Sequence, residues 1–178
     1  MGLGRPQVTI AEQDGWIFNR MADVYDARPA YPKELVDALC VGLTEGACVV
    51  DVGAGIGHLS VPLAERGFRV CAVEPALAML ERLRARAVDL PIDALHGTAE
   101  ALPVADASAE LVVVADALHF LDAERTGLEV ARVLARGGLL AMISVRLSDT
   151  PFMRALTREM ERAAPRRPRV IASAEAQV

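Results

Sequence analysis

Two acids and three glycines stand at spacings that could hold a nucleoside. Asp51 closes the apolar run 47–52, and Gly53, Gly55 and Gly57 follow it in the pattern GxGxG. A loop of this kind at the carboxyl end of a buried strand is where open α/β sheets take their ligands. Glycine lets the backbone turn with positive φ and lets a ligand approach closely. Glu74, 19 residues beyond Gly55, closes a second apolar run, 68–73. One carboxylate there can accept both hydroxyls of a ribose. A dinucleotide fingerprint, GxGxxG, needs its third glycine one residue later, where His58 stands. The loop therefore suits a ligand with no phosphate. Plainer roles are also open: Asp51 as a turn cap at a strand end, Glu74 as a solvated acid. His119 is the candidate general base, because an imidazole titrates near neutrality. Its other reading is packing at a helix start.

A regular alternation of elements must position these residues. The patterning predicts strands over 47–52, 68–73, 92–96, 110–115 and 138–145. Helices are expected over 57–66, 76–87, 122–134 and 151–164, with a short helical turn near Glu100. Strands alternating with helices imply right-handed crossovers and a parallel sheet. The expectation is a Rossmann-like, doubly wound α/β fold with five parallel strands in the order 3-2-1-4-5. Ahead of it, 16–25 and 33–42 read as helices, with Pro32 placed at the start of the second. This divides the chain into a loose N-terminus (1–15), a helical lid (16–45), an α/β core (46–147), and a C-terminal helix with a basic tail (148–178).

Composition narrows the class. A chain of 178 residues can bury one sizeable core. It is 53% hydrophobic but only 4% aromatic, so Ala, Val and Leu build that core. A net charge of −5 argues against a generally basic nucleic-acid surface. The segment 151–178 runs the other way, with six arginines against three glutamates. Its cluster Arg166-Arg167-Pro168-Arg169 reads as a solvated helix end or as a phosphate contact. Cys40, Cys48 and Cys71 have no disulfide or zinc spacing and read as small core residues. The first ten residues lack the apolar stretch of a signal peptide, and no run approaches the roughly 20 apolar residues of a membrane span. The default expectation is a cytoplasmic domain.

Five segments, in order, carry a family resemblance. Asp51-Val52-Gly53-Ala54-Gly55-Ile56-Gly57, followed by Glu74-Pro75, resembles the opening of class I S-adenosylmethionine (SAM) dependent methyltransferases. His96-Gly97-Thr98-Ala99-Glu100-Ala101-Leu102-Pro103 is similar to the family's G-D-A-E-A-L-P segment, with Thr98 in place of the usual acid. Ala115-Asp116-Ala117-Leu118-His119-Phe120 resembles its A-x-A-L-H segment. Arg132-Val133-Leu134-Ala135-Arg136-Gly137-Gly138 resembles its R-V-L-K-P-G-G turn into the fifth strand, a structural element. The stretch from Phe18 to Pro32, with Tyr25, Arg28, Pro29, Tyr31 and Pro32, is similar to the entry segment of small-molecule enzymes of the trans-aconitate type.

The resemblance implies SAM as cofactor and a small-molecule acceptor. Cofactor-binding residues would be Tyr25, Arg28, Asp51, Gly53, Ala54, Gly55, Gly57, Glu74, Pro75, Thr98, Ala99, Glu100, Asp116 and Ala117. Arg28 would face the SAM carboxylate, Asp51 the methionine end and Glu74 the ribose. Thr98 and Ala99 would meet the adenine, and Asp116 and Ala117 would line the sulfonium end. Glu100 could equally be a solvated helix residue, and Tyr31 could pack under the helix. His119 would be the catalytic candidate.

The family fold ends in an antiparallel strand pair that the remaining 33 residues after Val145 do not resemble. The fifth strand is therefore expected at an edge, covered by a second copy, by the last helix, or left bare in a fragment. Three other functions stay in view: a non-catalytic SAM-fold module acting as a binding partner, an NAD-dependent oxidoreductase, and an RNA-directed enzyme resting on the tail arginines.

Overall fold

The computed structural model describes residues 17–145 and 150–163. The expectations for residues 1–15 and for the cluster at Arg166 lie outside them. The chain divides into two compact units, 1–144 and 145–178. In the second unit, α6 spans Pro151–Ala163.

In the first unit a five-stranded sheet has the order β3-β2-β1-β4-β5. Its strands are β1 Cys48–Val52, β2 Arg69–Glu74, β3 Ile92–His96, β4 Ala109–Ala115 and β5 Leu134–Ile143. All four pairings are parallel, as the βα alternation implies. β1 lies at the centre and is buried at every position, the signature of a strand covered on both faces. Val49, Val70, Leu111 and Val113 face one core, shared with Val36 and Leu63. Val50, Val52, Val112 and Val114 face the other, shared with Val130 and Val133.

The helices are α1 Ile17–Met21, α2 Lys33–Leu39, α3 Ser60–Ala64, α4 Leu77–Arg86 and α5 Ala123–Val133. α4 buries Met79, Leu80 and Leu83, a helical spacing. α5 starts at Asp122, whose side chain accepts the Arg125 N–H. α3 is shorter than expected, because Gly57 takes φ +88 and cannot continue a helix. The expected helix 16–25 is instead α1 followed by a 3-10 segment, Ala22–Ala27. Near Glu100 the chain makes an antiparallel bridge, Thr98 to Ala101, rather than a helical turn. β5 begins at Leu134, directly after α5, and passes a register shift before pairing steadily from Leu139.

Among the described residues, no helix is long and apolar enough to cross a membrane. No group of three or more His, Cys, Asp or Glu there could hold a metal ion. All three cysteines are free thiols.

Candidate functional site

The carboxyl ends of β1, β2 and β4 open into one cavity, the position where parallel sheets hold ligands. It encloses about 940 Å³ of empty space, the solvent at its mouth included. The loop after β1 docks on the end of β2: the Gly53 and Ala54 N–H groups donate to the Val73 carbonyl at 2.9 and 3.1 Å. Gly53 has φ +73, and a Cβ there would stand 2.9 Å from Ala117 Cβ. Only glycine lets the β1 and β4 loops approach this closely. Gly57 lies outside the lining. A Cβ on it would meet Leu83 and Val61, so its place is in packing.

The two strand-end acids are buried and partly satisfied. Asp51 Oδ2 accepts the Ser60 hydroxyl at 2.6 Å. Glu74 accepts the Gly55 N–H on Oε2 and the Ala76 N–H on Oε1, both at 2.8 Å. Glu74 thus braces the glycine loop, and its further lone pairs remain for a ligand. Burial pushes the Asp51 carboxyl up to about 6, against the pull of Ser60. Burial also raises Glu74, opposed by the Ala76 and Gly55 N–H groups and reinforced by the Asp51 charge.

The stretch from Phe18 to Tyr31 adds four residues to the cavity lining. Asn19 Oδ1 accepts the Ala78 N–H at 3.0 Å, and Arg82 pairs with Asp23 and Asp26. These contacts tie α1 and the 3-10 segment to α4. Arg28 then donates to the Tyr25 and Tyr31 hydroxyls, at 2.8 and 3.1 Å, and to Asp116 Oδ2. The Tyr31 hydroxyl donates to the same Asp116 oxygen at 3.2 Å. The carboxylate that Arg28 meets is therefore the protein's own. Burial works against the Arg28 charge, but Tyr31, Tyr25 and Asp116 outweigh it and raise its pKa. Asp116 takes φ +53, a strained conformation for a side-chain-bearing residue, of the kind that concentrates at functional sites. Its N–H donates to the Ile143 carbonyl at 2.9 Å.

The expected residues Tyr25, Arg28, Asp51, Gly53, Ala54, Gly55, Glu74, Pro75, Thr98, Ala99, Glu100, Asp116 and Ala117 all line this cavity. His119 does not: it is exposed, with its ring centroid 3.9 Å from that of Phe120. Glu100 also accepts the Asp122 N–H at 3.0 Å, so it holds the start of α5. Phe18, Tyr31, His58 and Phe120 line the cavity without having been assigned to it from sequence. A signal for them exists. In a chain with seven aromatic residues, three fall within the short stretch from Phe18 to Tyr31 and one follows His119.

The donor set suits a nucleoside that carries a cation and no phosphate. Glu74 can accept a vicinal diol, and Asp51 offers a buried negative charge. The glycine loop brings backbone close, and the lining's one guanidinium, Arg28, is engaged by Asp116 rather than by the loop.

Comparison with known proteins agrees. The methyltransferase domain family model matches residues 50–142. An uncharacterised methyltransferase of Mycobacterium tuberculosis is 46% identical over 117 residues, covering 65% of this chain and 46% of that relative. A demethylmenaquinone methyltransferase of Renibacterium salmoninarum is 36% identical over 133 residues, covering 74% of this chain and 54% of the relative. The chain thus spans about half the length of the curated relatives it matches. Among solved structures, a SAM-dependent methyltransferase from Thermotoga maritima superposes with TM-score 0.60 at 32% identity, covering 82% of this chain and 68% of the other. The cofactor that goes with this family and fold is S-adenosyl-L-methionine.

Proposed function

The chain belongs to the methyltransferase domain family, and we propose that it moves a methyl group from SAM to a small-molecule acceptor. The observation that carries this reading is the convergence of Asp51, Glu74 and Asp116 around the glycine loop in one cavity. Bound there, SAM supplies an electrophilic methyl group on a sulfonium, and S-adenosylhomocysteine is left when an acceptor lone pair takes that methyl.

The protein's part is to bind, align and exclude water. Glu74 accepts the ribose hydroxyls, and Asp51 faces the cationic amino-acid end. Gly53, Ala54 and Gly55 present backbone to the nucleoside, which Pro75 flanks. Thr98, Ala99 and Glu100 bound the adenine end. Ala117 and Asp116 stand beside the reacting end, with Tyr25 and Arg28 closing over it. Gly57 serves by packing the loop onto α4. His119, exposed and outside the lining, is not placed to take a proton from an acceptor in the cavity, so alignment with the methyl group carries the reaction.

The test is calorimetric titration with S-adenosylhomocysteine and with NADH. S-adenosylhomocysteine binds, and Asp51→Ala and Glu74→Ala each weaken it by about 1–3 kcal/mol, the worth of a charged hydrogen bond. Binding of NADH alone, or unchanged affinity in both variants, refutes the assignment.

A small-molecule acceptor is supported by the Renibacterium relative, whose name makes its acceptor a demethylmenaquinone. A second reading, a SAM-fold module without turnover, draws on the exposed apolar side chains of β5. Methyl transfer from labelled SAM onto any acceptor in a cell extract excludes it. We further place a second copy of the chain on the β5 edge.

A further inference from the structure

We propose that the acceptor side of this cavity takes a neutral aromatic molecule, seated against Phe18, Tyr25 and Phe120. The inference rests on the methyl-transfer reading and adds the chemical class of the acceptor.

The first ground is where the rings are. Only 4% of the chain is aromatic, yet four of its seven aromatic residues line this one cavity: Phe18, Tyr25, Tyr31 and Phe120. Among the described residues the buried core uses Ala, Val, Leu and Ile with Cys48 and Met79, and Phe68 is its one aromatic ring. Rings are therefore spent at the cavity and not on packing the sheet.

The second ground is their geometry. Phe18 and Phe120 stand at 85° with centroids 5.2 Å apart, and Phe18 and Tyr25 at 83° and 6.2 Å. Rings set at right angles present edges and faces together, the arrangement in which a further planar ring packs well. Phe120 is 48% exposed while lining the cavity, so part of its ring is available to a ligand. Leu118, in the same 3-10 turn, extends the apolar surface.

The third ground is charge. The lining holds four carboxylates, Asp51, Glu74, Glu100 and Asp116, against one guanidinium. Arg28 is engaged by Asp116 and two tyrosine hydroxyls. Burial, with Arg86 and Arg28 nearby, pulls the His58 imidazole down and works against its charged form. An anionic acceptor would meet repulsion with no cation to offset it. A cationic acceptor would have to share these carboxylates, each already accepting a hydrogen bond from Ser60, Gly55, Asp122 or Tyr31, with the sulfonium and ammonium of the cofactor.

Three probes on one ring system separate the classes: 2-naphthol, 2-naphthoate and 2-naphthylmethylammonium. Each is titrated calorimetrically into the full chain near neutral pH, with and without saturating S-adenosylhomocysteine. The expected result is that naphthol binds about tenfold or more tighter than either charged probe, the cost of bringing a charge into an apolar slot. Phe120→Ala should weaken naphthol by about three- to tenfold, the worth of one aromatic contact, and by more than any change for S-adenosylhomocysteine. Phe120→Leu, which keeps apolar bulk, should fall between. Equal or tighter binding of a charged probe overturns the proposal, as does naphthol binding that ignores Phe120. If S-adenosylhomocysteine does not bind but naphthol still shows this charge preference and dependence on Phe120, the slot stands and the methyl-transfer reading fails.

Discussion

Asp51 is 2% exposed and sits in the middle of the sheet, where a charge is held at a cost. Its carboxyl ionises near 3.8 in the unfolded chain and near 6 in the fold. Between those values the folded state keeps a proton that the unfolded state has released. Stability therefore falls as pH rises across this window, and the cost is full above about 6. It amounts to about 3 kcal/mol at neutral pH. Asp51→Asn removes the charge while keeping an acceptor for Ser60. It should raise the urea midpoint at neutral pH, with the gain shrinking as pH falls towards 4, and it should weaken S-adenosylhomocysteine. A variant no more stable than the parent at neutral pH would sink this account. The parent's own affinity for S-adenosylhomocysteine should decline below about pH 6, as Asp51 takes up its proton. The strand-end acids were legible because apolar runs ending in Asp51 and Glu74 point to the mouth of a sheet. Arg28 meeting Asp116 was not, because 88 residues separate them and no local period links the two. Ser60 was hidden for a related reason: a lone serine early in a helix reads as helix, and only the fold brings it to Asp51.

At the scale of elements, the alternation of strand and helix was enough to make the sheet parallel. Its order, with β1 at the centre, came with the glycine loop, which marks the strand at the switch point of a doubly wound sheet. The stretch between β3 and β4 was harder, since it carries no helical period and is held from elsewhere. Arg132, near the end of α5, does this work. It donates to the Leu102 and Val104 carbonyls at 2.9 and 2.8 Å and to Asp106 at 2.5 Å, and Glu129 holds it at 2.7 Å. Glu129 in turn accepts the Leu102 N–H at 2.8 Å. The loop that follows Thr98, Ala99 and Glu100 is thus fastened to α5 by Arg132 together with Glu129. Arg132→Met keeps the apolar stem and removes these donors. We expect it to lower stability by about 1–3 kcal/mol, read as a shift in the urea midpoint, and to weaken S-adenosylhomocysteine through the adenine end. A variant with parental stability and affinity would show that the loop holds itself. The motif that contains Arg132 was legible as a turn into β5, but its hold on a loop about 30 residues earlier in the chain was not.

At the scale of the whole molecule, β5 is patterned for an interior and placed at an edge. Leu139, Leu140, Ala141, Met142 and Ile143 form an unbroken apolar run, as in strands covered on both faces. Yet β5 pairs only with β4 in the described sheet, and Leu139, Leu140 and Met142 are 58%, 44% and 62% exposed. An apolar strand with an open edge is a template for another strand. A second copy would meet that edge without any new sequence: two β5 strands related by a twofold axis would pair antiparallel and continue the sheet across the dimer. Antiparallel pairing would also bring Leu140 and Met142 of both copies towards a shared apolar face. Sedimentation velocity should then show a concentration-dependent dimer. Met142→Lys should return the monomer, because lysine on an edge strand disfavours further pairing. It should leave S-adenosylhomocysteine affinity near parental, since Met142 lies outside the cavity. A parent that sediments as a monomer at every concentration would show that the edge is protected in another way. A dimer indifferent to Met142→Lys would move the interface elsewhere on the molecule.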